Sequence, residues 1–208
     1  MKQELLTRYP KLEKIIDTIE EAKNEMIKCY ENGGKILLCG NGGSCADCDH
    51  IVGELMKGFL SLRPLSDEKK ADMKKNFSDI DDNILDQLQC GLPAISLVSL
   101  SALNSAFCND VDPELIYAQS VFGLGKPGDI LIAMSTSGNA KNVAAAVKVA
   151  RATGMKVIAF TGKDGGVLRD ISDICMIAPE NETIKIQELH LPIYHYLCAN
   201  LENIIWDK

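Results

Sequence analysis

Cys39 to Ser44 reads CGNGGS, and Ser135 to Asn139 reads STSGN. Each stretch sets glycine among small hydroxyl or amide side chains, between a short apolar run and a helical pattern. Glycine lets backbone approach an anion, and a helix that starts there presents N–H groups with no partner inside the helix. The two loops predict a cradle for a small anion. A tight turn and a hydroxyl cap are the plain alternatives for either loop alone. Two such loops at one sheet edge favour a phosphate-bearing ligand. The first loop lacks the third glycine of the dinucleotide fingerprint and the lysine of a P-loop.

The helix that follows, about residues 44–59, carries His50 and Glu54, four apart and so side by side. That pair suits a divalent metal or acid–base work. At about 100° per residue, Cys45, Cys48, Val52, Leu55, Met56 and Phe59 fall on one side and Asp47, His50 and Glu54 on the other. The C-x-x-C at Cys45 and Cys48 invites a zinc or redox reading. Its phase places it with the apolar side, which predicts buried thiols. The last helical segment, IQELHLPIYHYLCANLE, adds Gln187, Glu188, His190 and His195. All three histidines of the chain therefore lie on two helices, one of them beside the anion loop, and this placement points to function. Pro192 deletes one backbone bond unless it sits in the first turn.

The elements that must position these groups follow a regular rhythm. Short apolar runs at 35–39, 94–99, 129–134, 156–160 and 173–178 read as parallel strands buried on both faces. Helical patterns at about 45–60, 112–123, 140–153, 165–171 and 184–206 alternate with them, after an N-terminal helix over 3–31. This predicts a three-layer, doubly wound α/β fold, a five-stranded parallel sheet flanked by helices, with right-handed crossovers. The whole chain, 1–208, reads as one domain. Residues 62–91 break the rhythm as a polar insertion with short helices at 67–76 and 83–89. A solvated surface insertion is one reading; a lid or subunit contact is the other.

Composition narrows the partners. Hydrophobic residues make up 46% of the chain and charged residues 25%, which suits a soluble globular protein. With 22 Lys and Arg against 29 Asp and Glu, a nucleic-acid-binding surface is not expected, and an anionic substrate must be held by local donors. No apolar run is long enough to span a bilayer, so no membrane partner is expected. The charged N-terminus has no signal core, and most of the eight cysteines sit in apolar segments. Free thiols in a reducing cytoplasm are the expectation.

Taken in order, CGNGGS, His50 and Glu54, the Asn109-Asp110 pair, STSGN with the following Asn-Val, TGKDGG and the IQE…His pattern resemble the sugar isomerase (SIS) family, and within it the phosphoheptose isomerases. The resemblance covers nearly the whole chain except 62–91. It implies a five-stranded parallel sheet and tetramers with active sites at subunit boundaries. It implies that Asn41, Gly42 and Ser44, with Ser135, Thr136 and Ser137, hold a sugar phosphate, and that Asp110 and Gln187 also serve the substrate. It implies zinc on His50, Glu54, Gln187 and His195, and an acid–base pair of Glu54 and His195. The implied reaction is aldose–ketose isomerisation of sedoheptulose 7-phosphate through an enediol. The alternatives are a sugar-phosphate-binding regulatory or protein-interaction module on the same scaffold, like a relative that binds a replication initiator, or an isomerase for another sugar phosphate.

The chain departs from the family pattern at Ala140, where a serine hydroxyl is lost, at Ile184, where an acidic residue is replaced, and in the loop 99–103. Gln187 and His195 are eight residues apart, about 12 Å along a regular helix and about 80° around it. For both to reach one ion, either Gln187 precedes the regular helix or the ligands come from different copies of the chain.

Overall fold

The computed structural model describes residues 1–206. The chain opens with α1 (Lys2–Arg8), a 3-10 turn over Pro10–Ile15 and α2 (Ile16–Glu31). The single helix expected over 3–31 is therefore interrupted. Proline at 10 has no N–H for an intrahelical bond and pushes the residue before it out of helical geometry. Tyr9 accordingly sits at φ −132° and ψ 67°.

Next come β1 (Ile36–Gly40), α3 (Gly43–Met56), α4 (Asp67–Asn76), α5 (Asp82–Gln87), β2 (Ala94–Ser96), α6 (Ser101–Asp110) and α7 (Ile116–Leu124). The chain ends with β3 (Ile130–Met134), α8 (Lys141–Ala152), β4 (Lys156–Thr161), α9 (Gly166–Ile171), β5 (Ile174–Ile177) and α10 (Thr183–Trp206). The five strands form one parallel sheet in the order β2-β1-β3-β4-β5. This is the doubly wound arrangement, and its strand order reverses between β1 and β3, where such folds place their ligands.

Strand side chains alternate between two cores, as pleating requires. Ile36, Leu38, Ile130, Ile132, Met134, Ile158 and Phe160 pack under α2, α3 and α10. Leu37, Cys39, Leu131, Ala133, Val157 and Ala159 pack under α7, α8 and α9. The three layers follow from this alternation.

The insertion folds into α4 and α5. Ser66 caps α4 by accepting from the Lys69 N–H, and Asp81 caps α5 by accepting from the Asn83 N–H. An antiparallel bridge between Pro64 and Gln89 closes its base, and Leu85 is its buried anchor. Helix α6 was not anticipated: it buries no residue, so the sequence shows no apolar stripe there. No helix among the described residues is long and apolar enough to cross a membrane.

Candidate active site

The first anion loop follows β1 and opens α3; the second follows β3 and opens α8. Both therefore lie at the carboxyl edge of the sheet, on either side of the switch point. Gly42 takes φ +56° and Gly138 takes φ +67°, left-handed values that glycine adopts without strain. Gly138 is also pressed onto the backbone of Gly165, so that any Cβ there would overlap the Gly165 carbonyl. TGKDGG thus serves as a backstop for STSGN, and the Leu168 N–H donates to the Gly138 carbonyl at 3.0 Å.

The loops enclose a cleft of about 370 Å³ that takes in Asn41, Gly42, Ser44, Ser135, Thr136, Ser137 and Gln187. Seven of the expected substrate residues thus meet in one place. Gln187 lies in the second turn of α10, and a Cβ on Gly43 would overlap its amide. Asp110 does not line this cleft; it ends α6 in an exposed position, where its carboxylate accepts from the Asn109 amide. Ala140 and Thr183 also line the cleft.

Two residues with no role expected from the sequence shape the first loop. The Asn41 and Asn142 amides pair reciprocally, at 2.8 and 3.0 Å, and the Tyr117 hydroxyl donates to the Gly40 carbonyl at 2.8 Å. The Asn41 side chain thus ties the first loop to the first turn of α8. Asn142 is the asparagine of the Asn-Val pair that follows STSGN, so the motif contained it without assigning it a role.

The second group of chemical residues forms a cluster on α3 and α10. The ligand-competent atoms of His50, Glu54 and His195 all lie within 4.8 Å of one another. His50 Nε2 is 3.1 Å from Glu54 Oε1 and 3.4 Å from His195 Nε2. Burial, then the neighbouring His50, lowers the pKa of His195, against the pull of Glu54. Two imidazole nitrogens and a carboxylate facing one point form a donor set that zinc takes, with a position left open. The residues present therefore fit a zinc ion.

Within one chain the two groups remain apart. Glu54, His50 and His195 do not line the anion cleft; His195 instead borders a separate cavity of about 460 Å³ between α1 and α10, beside Phe59 and Leu60. Gln187 sits with the cleft and well inside the regular helix, so it does not precede that helix.

The end of α3 is anchored by an unexpected pair. Arg63 Nη2 and Nη1 donate to the carbonyls of Glu54 and Leu55 at 3.1 and 2.7 Å, groups that a helix end leaves without partners. Arg63 Nε donates to Glu202 on α10 at 2.7 Å, and the guanidinium stacks 4.4 Å over the Trp206 ring. Burial works to raise the Glu202 pKa, but N–H donors from Phe59, Leu60 and Ser61 and the Arg63 guanidinium outweigh it and hold the carboxyl low. Both side chains are almost wholly buried. Nothing in the local pattern marked Arg63, which lies 139 residues from its partner.

Two readings of the helices need correction. The core side of α3 is Ser44, Cys48, Ile51 and Leu55; Cys45 is only partly buried and Met56 is exposed. The helix ends at Met56, so Phe59 lies outside it, and counting both as core residues rotated the expected face. All eight cysteines are free, and only Cys48 of the C-x-x-C pair is fully buried. His190 belongs to the core: it is 0% exposed, packs edge-on to Phe160, and donates from Nε2 to the Thr161 carbonyl at 3.0 Å. Burial lowers its pKa to about 4, so it stays neutral. Pro192 lies in the interior of α10, so the backbone bond from residue 192 is lost.

The sheet, with two glycine-containing loops at the carboxyl ends of β1 and β3, is that of a doubly wound α/β domain. Residues 3–87 and 83–162 match the model of the SIS domain. A phosphoheptose isomerase from Shewanella denitrificans is 34% identical over 99% of this chain and 93% of its own length. One from Roseiflexus is 36% identical over 88% of this chain and 80% of its own. The solved phosphoheptose isomerase of Neisseria gonorrhoeae superposes with a TM-score of 0.76 at 31% identity, covering 97% of this chain and 94% of the other. That of Francisella tularensis gives 0.75 at 30% identity. The chain belongs to the SIS domain family and groups within it with the phosphoheptose isomerases.

Proposed function

We propose that the protein is an aldose–ketose isomerase for a phosphorylated seven-carbon sugar, interconverting sedoheptulose 7-phosphate and D-glycero-D-manno-heptose 7-phosphate. The observation that carries this is the cleft at the switch point, where two loops and two helix N-termini converge, in a chain similar to phosphoheptose isomerases over nearly its whole length. The phosphate sits on the backbone of 41–44 and the hydroxyls of Ser135, Thr136 and Ser137, which supply donors that the net charge of −7 does not.

Glu54 removes a proton from C1 of the ketose while His195 gives a proton to the C2 oxygen, and the 1,2-enediol forms. Glu54 then returns its proton to C2 as His195 takes the proton of the C1 hydroxyl, which leaves the aldehyde. His50, Glu54 and His195 would hold zinc. When bound, zinc supplies a Lewis acid for the carbonyl oxygen. A carboxylate that binds metal is a weaker base and a metal-bound imidazole nitrogen carries no proton, so the two roles compete in both Glu54 and His195.

The cleft and the cluster line different cavities, which supports a working site that combines elements of different copies of the chain; the resemblance to phosphoheptose isomerases implies that a homotetramer supplies them. The same arrangement allows Gln187 to complete the metal set from a second copy. Asp110, on the exposed helix α6, serves the site across such a boundary, and the compartment is the cytoplasm. The purified protein is to be given a panel of phosphorylated ketoses, with and without zinc, and aldose formation followed. Turnover of the seven-carbon ketose phosphate above all others is expected; no aldose from any of them rejects the reading.

A further inference from the structure

We infer that Tyr194 and Asp47 are positioning residues that fix the tautomer of His50, leaving its Nε2 as a lone pair aimed at Glu54 and His195. The inference rests on the reading of those three residues as a cation site. Tyr194 on α10 is 1% exposed, and its ring meets His50 edge-on at 5.3 Å between centroids. Its hydroxyl oxygen lies 3.2 Å from Asp47 Oδ1 and 2.9 Å from His50 Nδ1, both on α3.

The direction of each bond follows from donor counting. A phenol has one proton to give, and an ionised carboxylate only accepts. The Tyr194 proton therefore goes to Asp47. Its oxygen must then accept from His50, which places the single imidazole proton on Nδ1. Nε2 is left without a proton, and Nε2 is the atom 3.1 Å from Glu54 Oε1 and 3.4 Å from His195 Nε2. The reverse polarity would let Nε2 donate to Glu54 Oε1 but would block a cation there and leave the Asp47 oxygen facing phenol lone pairs; in the polarity assigned, Nε2 and the Glu54 carboxylate are two acceptors 3.1 Å apart, an arrangement that a cation between them relieves. Histidine ligands commonly donate their other N–H to a carboxylate, carbonyl or water. Here the carboxylate acts through an intervening phenol.

Tyr194→Phe keeps the ring and its packing and removes only the hydroxyl. Zinc affinity, measured by competition with a chromophoric chelator, is expected to fall roughly 10–100-fold in Tyr194→Phe, and to fall in Asp47→Asn. A long-range proton–nitrogen spectrum of the metal-free wild type at about pH 8, where an ordinary imidazole is neutral, is expected to show the His50 proton on Nδ1. In Tyr194→Phe the tautomers are expected to mix. A wild-type proton on Nε2, or a Tyr194→Phe protein with unchanged tautomer and unchanged zinc affinity, overturns the inference. A wild type that binds no zinc yet carries the proton on Nδ1 rejects the cation reading and supports the relay.

Discussion

The anion cleft and the imidazole–carboxylate cluster are built in opposite ways. The cleft is made of backbone and short side chains at the ends of β1 and β3, where parallel strands must finish together. Its shape is set by close backbone contact, as at Gly138 against Gly165. The cluster is made of long side chains on α3 and α10. Their meeting depends on how two helices pack and on single hydrogen bonds, from Arg63 at the end of α3 and from Tyr194 behind His50. The difference teaches where each half is vulnerable. Losing one hydroxyl leaves the cleft its other donors, whereas the cluster fails on single atoms.

The sharpest way to break this contrast is Glu54→Gln, which keeps the size of the side chain and removes the base. Turnover is expected to fall about 10²–10⁴-fold with sugar-phosphate binding largely kept. Near-normal turnover would show that the cluster is not the proton-transfer site. A parallel zinc determination separates loss of base from loss of metal.

Next comes Arg63→Met. It removes three donor contacts and leaves Glu202 charged and buried, a change that typically costs about 3–5 kcal/mol. Denaturant unfolding is expected to show that loss. Zinc affinity should fall further than phosphate affinity, because Arg63 holds the carbonyl of Glu54 and makes no contact with the anion loops. Equal losses at both would mean that α3 moves as one rigid piece.

The contrast also explains what the sequence could show. The strands and both loops were legible because apolar runs ending in Gly, Ser and Asn are local signals, although the run 94–99 is a strand only over Ala94–Ser96 and turns as a 3-10 helix over Leu97–Ser99. The insertion helices were legible at 67–76 and, less closely bounded, at 83–89, and the structure adds their caps at Ser66 and Asp81. The break at Pro10 needed only the missing N–H to be taken at face value. The cluster was half legible: His50 and Glu54 are four apart, but the partnership with His195 spans 145 residues and came from family resemblance. His190 and His195 are five residues apart, about 140° around the helix, and only packing decides which of them faces the core. The Asp47–Tyr194 and Arg63–Glu202 contacts join residues 147 and 139 positions apart, and no window of sequence carries them.

Removing one hydroxyl from the cleft is expected to do less than either change to the cluster. Ser135→Ala and Ser137→Ala should each weaken sugar-phosphate binding by about 1.5–3 kcal/mol, the worth of a hydrogen bond to a charged group. Each hydroxyl also braces its own loop, Ser135 accepting from the Ala140 N–H and Ser137 from the Asn139 N–H. Calorimetry with the substrate is the measurement. If neither variant binds more weakly than wild type, the anion is held elsewhere.

The smallest effect is expected from restoring what this chain lacks. Ala140 is the N-cap of α8, at φ −65° and ψ 117°, the extended geometry of a capping residue, yet it has no side-chain acceptor. Replacing an alanine cap with serine typically stabilises by about 0.5–2 kcal/mol. The gain here should be at the low end, because a cap side chain serves the N–H groups of residues 142 and 143, and the Asn142 side chain already accepts from the Val143 N–H at 3.0 Å, which leaves the Asn142 N–H for a new hydroxyl. For a chain of this size, about 1 kcal/mol raises Tm by roughly 2–4 °C. Residue 140 also lines the anion cleft, so the hydroxyl has a second possible partner in the phosphate. Ala140→Ser is therefore expected to raise Tm slightly and to tighten phosphate binding by up to about tenfold, the worth of one net hydrogen bond. A higher Tm with unchanged affinity would assign the hydroxyl to the helix. Tighter binding with unchanged Tm would assign it to the anion, and would mean that the cleft, unlike the cluster, accepts an additional donor without rearrangement.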